Sequence, residues 1–295
     1  MTQTTALAAV AIAAAAATTA QAATVAYFEF NEGEGQTAAS TGGVADPLTL
    51  GFSTSASGDP DWVSGVSGTG LDFNGLNANP NDNDFVGYAP NRTTGTPDSA
   101  LVQSGSFTIE AFFRLDSVPA VNEIRSIVSL YESDPNGPAT GTGLGNAHYQ
   151  LRVRNSAGNT VLESAFQTDA GTAFSRAVFG NPFPSAALAV GEVYYGAMIY
   201  DADAATLTTR LDSISETTNG VGAPDTSINL PRFVIGARTN GFSGYGQHFD
   251  GLIDQVRISD AVVAEGDLLI NVIPEPTSAA AAMLGLGLLA ARRLR

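Results

Sequence analysis

Carboxylates are the side chains best suited to chemistry in this chain, and their spacing limits what they can do. A glycosidase needs two carboxyl groups about 5–5.5 Å or 6.5–9.5 Å apart, and one strand supplies them at positions two or four apart on a single face. Glu110 is followed at those offsets by Phe112 and Arg114, and Asp116 lies about 20 Å further along an extended chain. Asp201 and Asp203 are two apart, but the alanines around them make them turn residues of a hairpin. His148 and His248 are the 2 histidines of the chain. With no Gly-x-Ser-x-Gly elbow beside them, a nucleophilic triad is not expected. Cysteine is absent, which removes thiolate nucleophiles, disulfides and cysteine-bound zinc. All 13 basic residues are arginine, so Schiff-base lysine chemistry is excluded as well. Gly141-Thr142-Gly143-Leu144-Gly145 follows prolines and opens no helix, which argues against a phosphate loop. The chain is expected not to be an enzyme.

Binding is the chemistry that remains. Glu110, Arg114, His148, Gln150, Arg152 and Arg154 fall at outward strand positions, with Tyr195 nearby. Guanidinium groups can hydrogen-bond acids and sulfates in pairs, although a merely solvated sheet face has the same composition. Asp254 sits in the run Leu252 to Ile258. There strict alternation puts it on the face of Leu252, Val256 and Ile258, with Ile253, Gln255 and Arg257 opposite. A half-buried carboxylate of that kind needs a cation, an arginine or backbone N–H groups. The loop Asn77 to Asp84 is dense in oxygen ligands but lacks the glycine and closing glutamate of an EF-hand, and is read as a solvated turn.

The elements that must position these groups are strands. From Thr24 to Asn271 short runs of period-two alternation are separated by Gly, Pro, Asn, Asp and Ser clusters, and no amphipathic helix of useful length appears. Ser106 to Asp116 is the strongest run, with Phe107, Ile109, Ala111, Phe113 and Leu115 on one face and Thr108, Glu110, Phe112 and Arg114 on the other. His148 to Arg154 turns through residues 155–159 into Thr160 to Phe166, and Val193 to Tyr200 turns through 201–205 into Thr206 to Asp212. Strands in succession without helices predict an all-β, two-sheet antiparallel jelly-roll sandwich.

The two ends look like addresses rather than fold. Ala6 to Ala17 is an apolar run followed by the small-residue triplet Ala20-Gln21-Ala22, so residues 1–23 are expected to be a signal peptide removed by signal peptidase. The domain then spans 24–272, and 273–295 form a tail. In that tail Pro274-Glu275-Pro276 breaks the chain, Ala279 to Ala291 is apolar, and Arg292-Arg293-Leu294-Arg295 closes it. The apolar stretch is shorter than the roughly 20 residues of a free-standing span. Terminal arginines hold the cytoplasmic side, which implies a transient membrane contact. The net charge of -16 repels nucleic acid and anionic lipid surfaces, and favours divalent cations.

Two resemblances sharpen this reading. Pro274, Glu275, Pro276, the short apolar stretch, Arg292 and Arg293 together resemble the PEP-CTERM sorting signal of Gram-negative bacteria. That resemblance implies an exosortase as processing partner and a destination in the cell envelope or outside the cell. The opening Tyr27 to Gly35, Trp62-Val63 with Gly70 to Gly75, Ser106 to Arg114, and Ile235-Gly236 with Phe249 to Ile258 are similar to landmarks of the laminin G-like, concanavalin A-like jelly rolls. Phe112 stands where that family usually has tryptophan, so no indole platform for a sugar is implied. The resemblance does imply a structural Ca²⁺ where the closing strand meets the first turn, at Asp254 with backbone carbonyls near Glu32 and Gly33. It also implies a non-catalytic module that binds extracellular polysaccharide or matrix glycan. A structural exopolymer protein without a small ligand and a divergent glycoside hydrolase or lyase are the alternatives.

Overall fold

The computed structural model describes residues 22–44, 46–51, 58–75, 84–87, 98–132, 147–156, 158–168, 174–178, 188–226, 231–239 and 245–273. The expected signal segment up to residue 21, most of the loop Asn77 to Asp84, the glycine run 141–145 and the sorting residues Pro274, Glu275, Pro276, Arg292 and Arg293 lie outside them.

The described chain forms β1 (Thr24–Phe28), β2 (Thr37–Ala38), β3 (Leu48–Leu50), β4 (Asp61–Ser64), β5 (Thr69–Asn74), β6 (Val86–Gly87), β7 (Phe107–Leu115), β8 (Ile124–Glu132) and β9 (Ala147–Ser156). It continues with β10 (Asn159–Gln167), β11 (Phe174–Val178), β12 (Val193–Asp201), β13 (Thr206–Leu211), β14 (Ile214–Asn219), β15 (Pro231–Ile235), β16 (Arg238–Thr239), β17 (Tyr245–Gly246) and β18 (Asp250–Ser259). Sheet 1 runs β14-β13-β12-β7-β18-β5-β4 with β1 also paired to β18, and sheet 2 runs β11-β10-β9-β8-β15-β6-β3-β2. The pairings are antiparallel, so the chain is the expected all-β jelly-roll sandwich.

Alternation accounts for the core. Phe107, Ile109, Ala111, Phe113 and Leu115 of β7 face Tyr149, Leu151 and Val153 of β9 and Leu162 and Phe166 of β10 across the sandwich. Phe107 is the hub, with ring centroids 5.9 Å from Tyr149, 6.1 Å from Phe166 and 5.6 Å from Tyr200. Burying each such side chain contributes about 1.5–3 kcal/mol. Both expected hairpins form. Asn155 Oδ1 accepts from Gly158 N at 2.9 Å in the first, and Asp201 Oδ1 accepts from Asp203 N and Ala204 N at 3.0 Å in the second. Asp201 therefore does turn work.

The structure corrects the sequence reading in two places. Strict alternation fails in β18, because Asp254 pairs with Phe112 while Arg257 pairs with Glu110, leaving two residues opposite one. Gln255 takes φ 54° in this bulge. The phase flips, so Ile253, Val256 and Ile258 all enter the core and Asp254 does not share their face. The outward faces are not solvated either, since Glu110, His148, Gln150, Arg152 and Tyr195 are all buried. On sheet 1 the cover is a strap, residues 260–273, which carries α1 (Leu269–Val272). Val263, Leu268 and Leu269 of the strap pack on Phe112, Tyr195 and Ala197. On sheet 2, Gln247 and Arg238 lie over Gln150 and Tyr131.

Candidate functional site

The seven residues expected on one binding face are divided among four places. Glu110 and Tyr195 meet on the outer face of sheet 1, where they anchor the strap. Glu110 Oε1 accepts from Tyr195 Oη at 2.7 Å and from Leu269 N at 2.8 Å, and its Oε2 accepts from Arg257 Nε at 2.7 Å. Arg257 also donates to the Asp267 carbonyl at 2.7 Å, and Thr108 Oγ1 bridges Ala261 O and Val263 N at 2.8 and 3.1 Å. Burial, and then the Glu110 charge, hold the Tyr195 phenol far above its ordinary range. These groups have used their hydrogen-bonding capacity on the protein itself.

Arg114 stands at the end of the same sheet, paired with Asp116 at 2.7 Å and Asp72 at 3.3 Å. Asp72 lies directly opposite Asp61 on the neighbouring strand. Burial and then Asp116 raise the Asp72 carboxyl. A search along single strands could not see this carboxylate pair, because its members come from β4 and β5.

His148 does not join the lattice of Gln150 and Arg152. Its Nε2 accepts from Gln103 N at 2.7 Å and its Nδ1 lies 2.9 Å from Asp225 O, an acceptor, so Nδ1 carries the proton. Burial pushes it down to about 4, and the ring stays neutral at physiological pH. His248 Nδ1 similarly faces Asp84 O at 3.3 Å.

Gln150, Arg152 and Arg154 do come together, on the outer face of sheet 2. Arg152 binds Glu163 through Nε at 2.7 Å and again through Nη2, and donates through Nη1 to Gln150 Oε1 at 2.7 Å. Gln150 Oε1 also accepts from Tyr131 Oη at 2.8 Å, and Gln150 Nε2 donates to Gln247 Oε1 at 2.7 Å and to Ser126 Oγ. Ser126 Oγ donates to Gln247 Oε1 at 3.1 Å. Arg238 stacks over Tyr131 at 5.3 Å from its centroid. Sequence reasoning missed Glu163, although counting back from the turn, Asn159 opposite Ser156, places Glu163 opposite Arg152. Gln247 gave no such signal, because it lies 80 positions beyond the end of β10 at Gln167. Planar amides, a guanidinium and a phenol thus form a fixed hydrogen-bonded lattice, with Tyr131, Gln150, Arg152 and Glu163 buried and their donors directed at one another.

Asp254 is buried beside the turn of residues 65–68 between β4 and β5. Its Oδ2 accepts from Val66 N at 2.8 Å and Ser67 N at 3.3 Å, whereas Oδ1 is buried without a hydrogen-bond partner. Burial raises its pKa to about 6, against the lowering effect of those amides. Glu32 turns its carboxylate onto Ala39 N at 2.6 Å. Among the described residues no group of three or more His, Cys, Asp or Glu side chains could hold a metal. One carboxylate oxygen fits a cation here, and six to eight oxygens make a calcium shell, so backbone carbonyls and water would have to supply the rest.

Two antiparallel sheets with β7 and β18 at the centre of one of them define the concanavalin A-like class of jelly rolls. The sequence pattern of the concanavalin A-like lectin/glucanases superfamily matches residues 90–268, and the chain belongs to that family. No curated protein matches it. Domain 4 of a GH43 extracellular arabinanase from Geobacillus stearothermophilus, solved with arabinotriose, superposes with a TM-score of 0.53 at 16% identity, covering 85% of this chain and 98% of that one. The CBM40 module of a Ruminococcus gnavus IT-sialidase, solved with α2,3-sialyllactose, gives 0.47 at 13% identity, covering 72% and 96%.

Proposed function

We propose that this chain is a non-catalytic carbohydrate-binding module, exported and sorted to the cell envelope, that takes an extracellular polysaccharide or matrix glycan on the outer face of sheet 2. The observation that carries the reading is the outer face of sheet 2, where the buried lattice of Gln150, Arg152, Glu163, Tyr131 and Gln247 forms a fixed support beside the partly exposed Arg154. The arabinotriose-bound domain with the same fold supports it, while fold alone does not assign a ligand. A glycan array probed with the purified chain tests it. Binding that Arg152→Ala abolishes is expected, and uniformly negative arrays would overturn the reading.

Export rests on the alanine-rich segment and the Pro-Glu-Pro tail. Mass spectrometry of the secreted product, expected to begin near Thr24 and end near Ile273, checks both processing steps. A structural calcium at Asp254 rests on its single unpartnered oxygen. Saturation at about a hundred times the dissociation constant adds about 2.7 kcal/mol, so an unchanged melting midpoint after chelation would remove the ion from the account.

The opposed Asp61 and Asp72 favour a second reading, hydrolysis by acids from separate strands. Release of reducing ends from a polysaccharide, lost in Asp72→Asn, would establish that reading instead.

A further inference from the structure

The charges of this acidic chain are sorted between its two sheets. The strands of sheet 1 carry three arginines against seven carboxylates. Those of sheet 2 carry Arg125, Arg152, Arg154, Arg176 and Arg232 against Glu132 and Glu163. Within a molecule of net charge -16, the arginines are thus concentrated in the strands of sheet 2.

On the outer face of sheet 2 two of these guanidiniums share one carboxylate, unequally. Arg152 is buried and takes Glu163 Oε1 with two N–H groups. Arg154, next on the same face, comes only within 3.7 Å of Glu163 Oε2, beyond hydrogen-bond reach, while its side chain keeps 27% of its exposure. Its Nε is buried and without a hydrogen-bond partner. The nearby acid Glu123 is spent on Arg125 Nε at 2.8 Å and on Ala120 N at 2.5 Å. In register, Arg154 lies between Ile124 and Val161, so aliphatic residues flank it on both sides and lower the local dielectric. Arg125 itself is turned away towards Asp250.

We propose that Arg154, an open guanidinium with unspent donors beside the buried Arg152–Glu163 pair, anchors an anionic group, so that the glycan bound on this face carries carboxylates or sulfates. This rests on the proposal that sheet 2 binds glycan, and gives that ligand its chemical class. The planar fork of Arg154 meets a carboxylate or sulfate with paired N–H donors. The overall negative charge repels polyanions that do not reach such a site, which makes the binding selective.

Calorimetric titration of the full chain with polygalacturonate, its fully methyl-esterified form, dextran sulfate and dextran tests the assignment. The expected result is binding of at least one polyanion that weakens with added salt and falls about 10- to 100-fold in Arg154→Gln, with no binding of the uncharged counterparts. Polygalacturonate binding alone identifies a carboxylate ligand, and dextran sulfate binding alone a sulfate. Equal binding of the methyl ester or dextran, untouched by Arg154→Gln, overturns the anion assignment and leaves glycan binding standing. Failure to bind any of the four overturns the anion assignment, and the glycan array then decides the broader reading separately. If Arg154→Gln does not fold, Arg154→Lys retains the charge without the fork and is expected to bind more weakly than wild type. Undiminished affinity in that variant, together with bound neutral sugar, counts against the assignment.

Discussion

Replacing Glu110 by glutamine asks what holds the C-terminal strap on sheet 1. The carboxylate is fully buried and Arg257, its partner at 2.5 Å, is only 13% exposed. Removing one member of a buried pair strands the other charge and costs about 3–5 kcal/mol. Two features place the cost at the lower end. Glutamine keeps an acceptor oxygen for the Tyr195 hydroxyl and the Leu269 amide, and Arg257 keeps the Asp267 carbonyl. A loss of about 3 kcal/mol is therefore expected, which in a domain of this size lowers the melting midpoint by about 6–12 °C. Urea denaturation measures the energy, and hydrogen exchange locates it. The amides of Val263 and Leu269 accept no other assignment, since each donates to a sheet 1 side chain, Thr108 Oγ1 and Glu110 Oε1 respectively. They should exchange faster in the variant, while Leu151 and Val153 at the centre of β9 follow only global stability. A loss below about 1 kcal/mol, or equal acceleration at all these amides, would refute the claim that Glu110 is the clasp. Glu265→Ala is the control, because Glu265 stands in water although it pairs with Arg210, and it should leave the exchange of Leu269 unchanged.

Two further outcomes follow from the geometry. Asp254 has its folded pKa raised from 3.8 to about 6, so the folded state binds the proton more tightly than the unfolded chain does. Its protonation therefore supports the fold fully below about pH 3.8, and that support is lost as pH rises through about 6, a swing of about 3 kcal/mol. Melting curves of Asp254→Asn across this window should be flatter than wild type, and an unchanged slope would refute the burial argument. Gly251 holds φ 135° with an added Cβ falling 2.0 Å from Arg114 O, so Gly251→Ala must displace β18 from β7. The loss should exceed about 1 kcal/mol, read as a shift of the urea midpoint.

The sheets were legible because alternation of apolar residues is a local signal: β7 and β9 carry it throughout, and β10, β12 and β13 carry it with Ser164, Gly196 and Thr209 set among the inward apolar positions. Closing strand β18 breaks it at Asp254-Gln255, two polar residues in succession between apolar ones, and that doublet was the visible trace of the bulge. The site was much less legible. A strand pattern states which face a residue takes and not what will later cover that face. Glu110 and Arg152 have the same outward phase in the sequence, yet one meets a strap about 150 positions downstream and the other meets its hairpin partner Glu163 and the neighbouring Gln150.

That difference in cover also decides which face is left for a ligand. On sheet 1 the outer surface is closed by the chain's own strap, with Phe112, Tyr195 and Ala197 sealed by Val263, Leu268 and Leu269, and Glu110 has no capacity left over. A ligand there would have to displace a hydrophobic contact and a buried ion pair together. On sheet 2 the Arg154 guanidinium keeps part of its surface in water, and its nearest carboxylate oxygen, Glu163 Oε2, is 3.7 Å away. At the rim of this buried network water solvates the exposed part of the Arg154 guanidinium, while its Nε stays buried without a partner. The guanidinium is worth more to a ligand that brings the missing acceptor, since the rest of the lattice is already fixed and need not be ordered on binding. The sandwich thus uses one outer face to hold its own chain and leaves the other with a prearranged place for an anion.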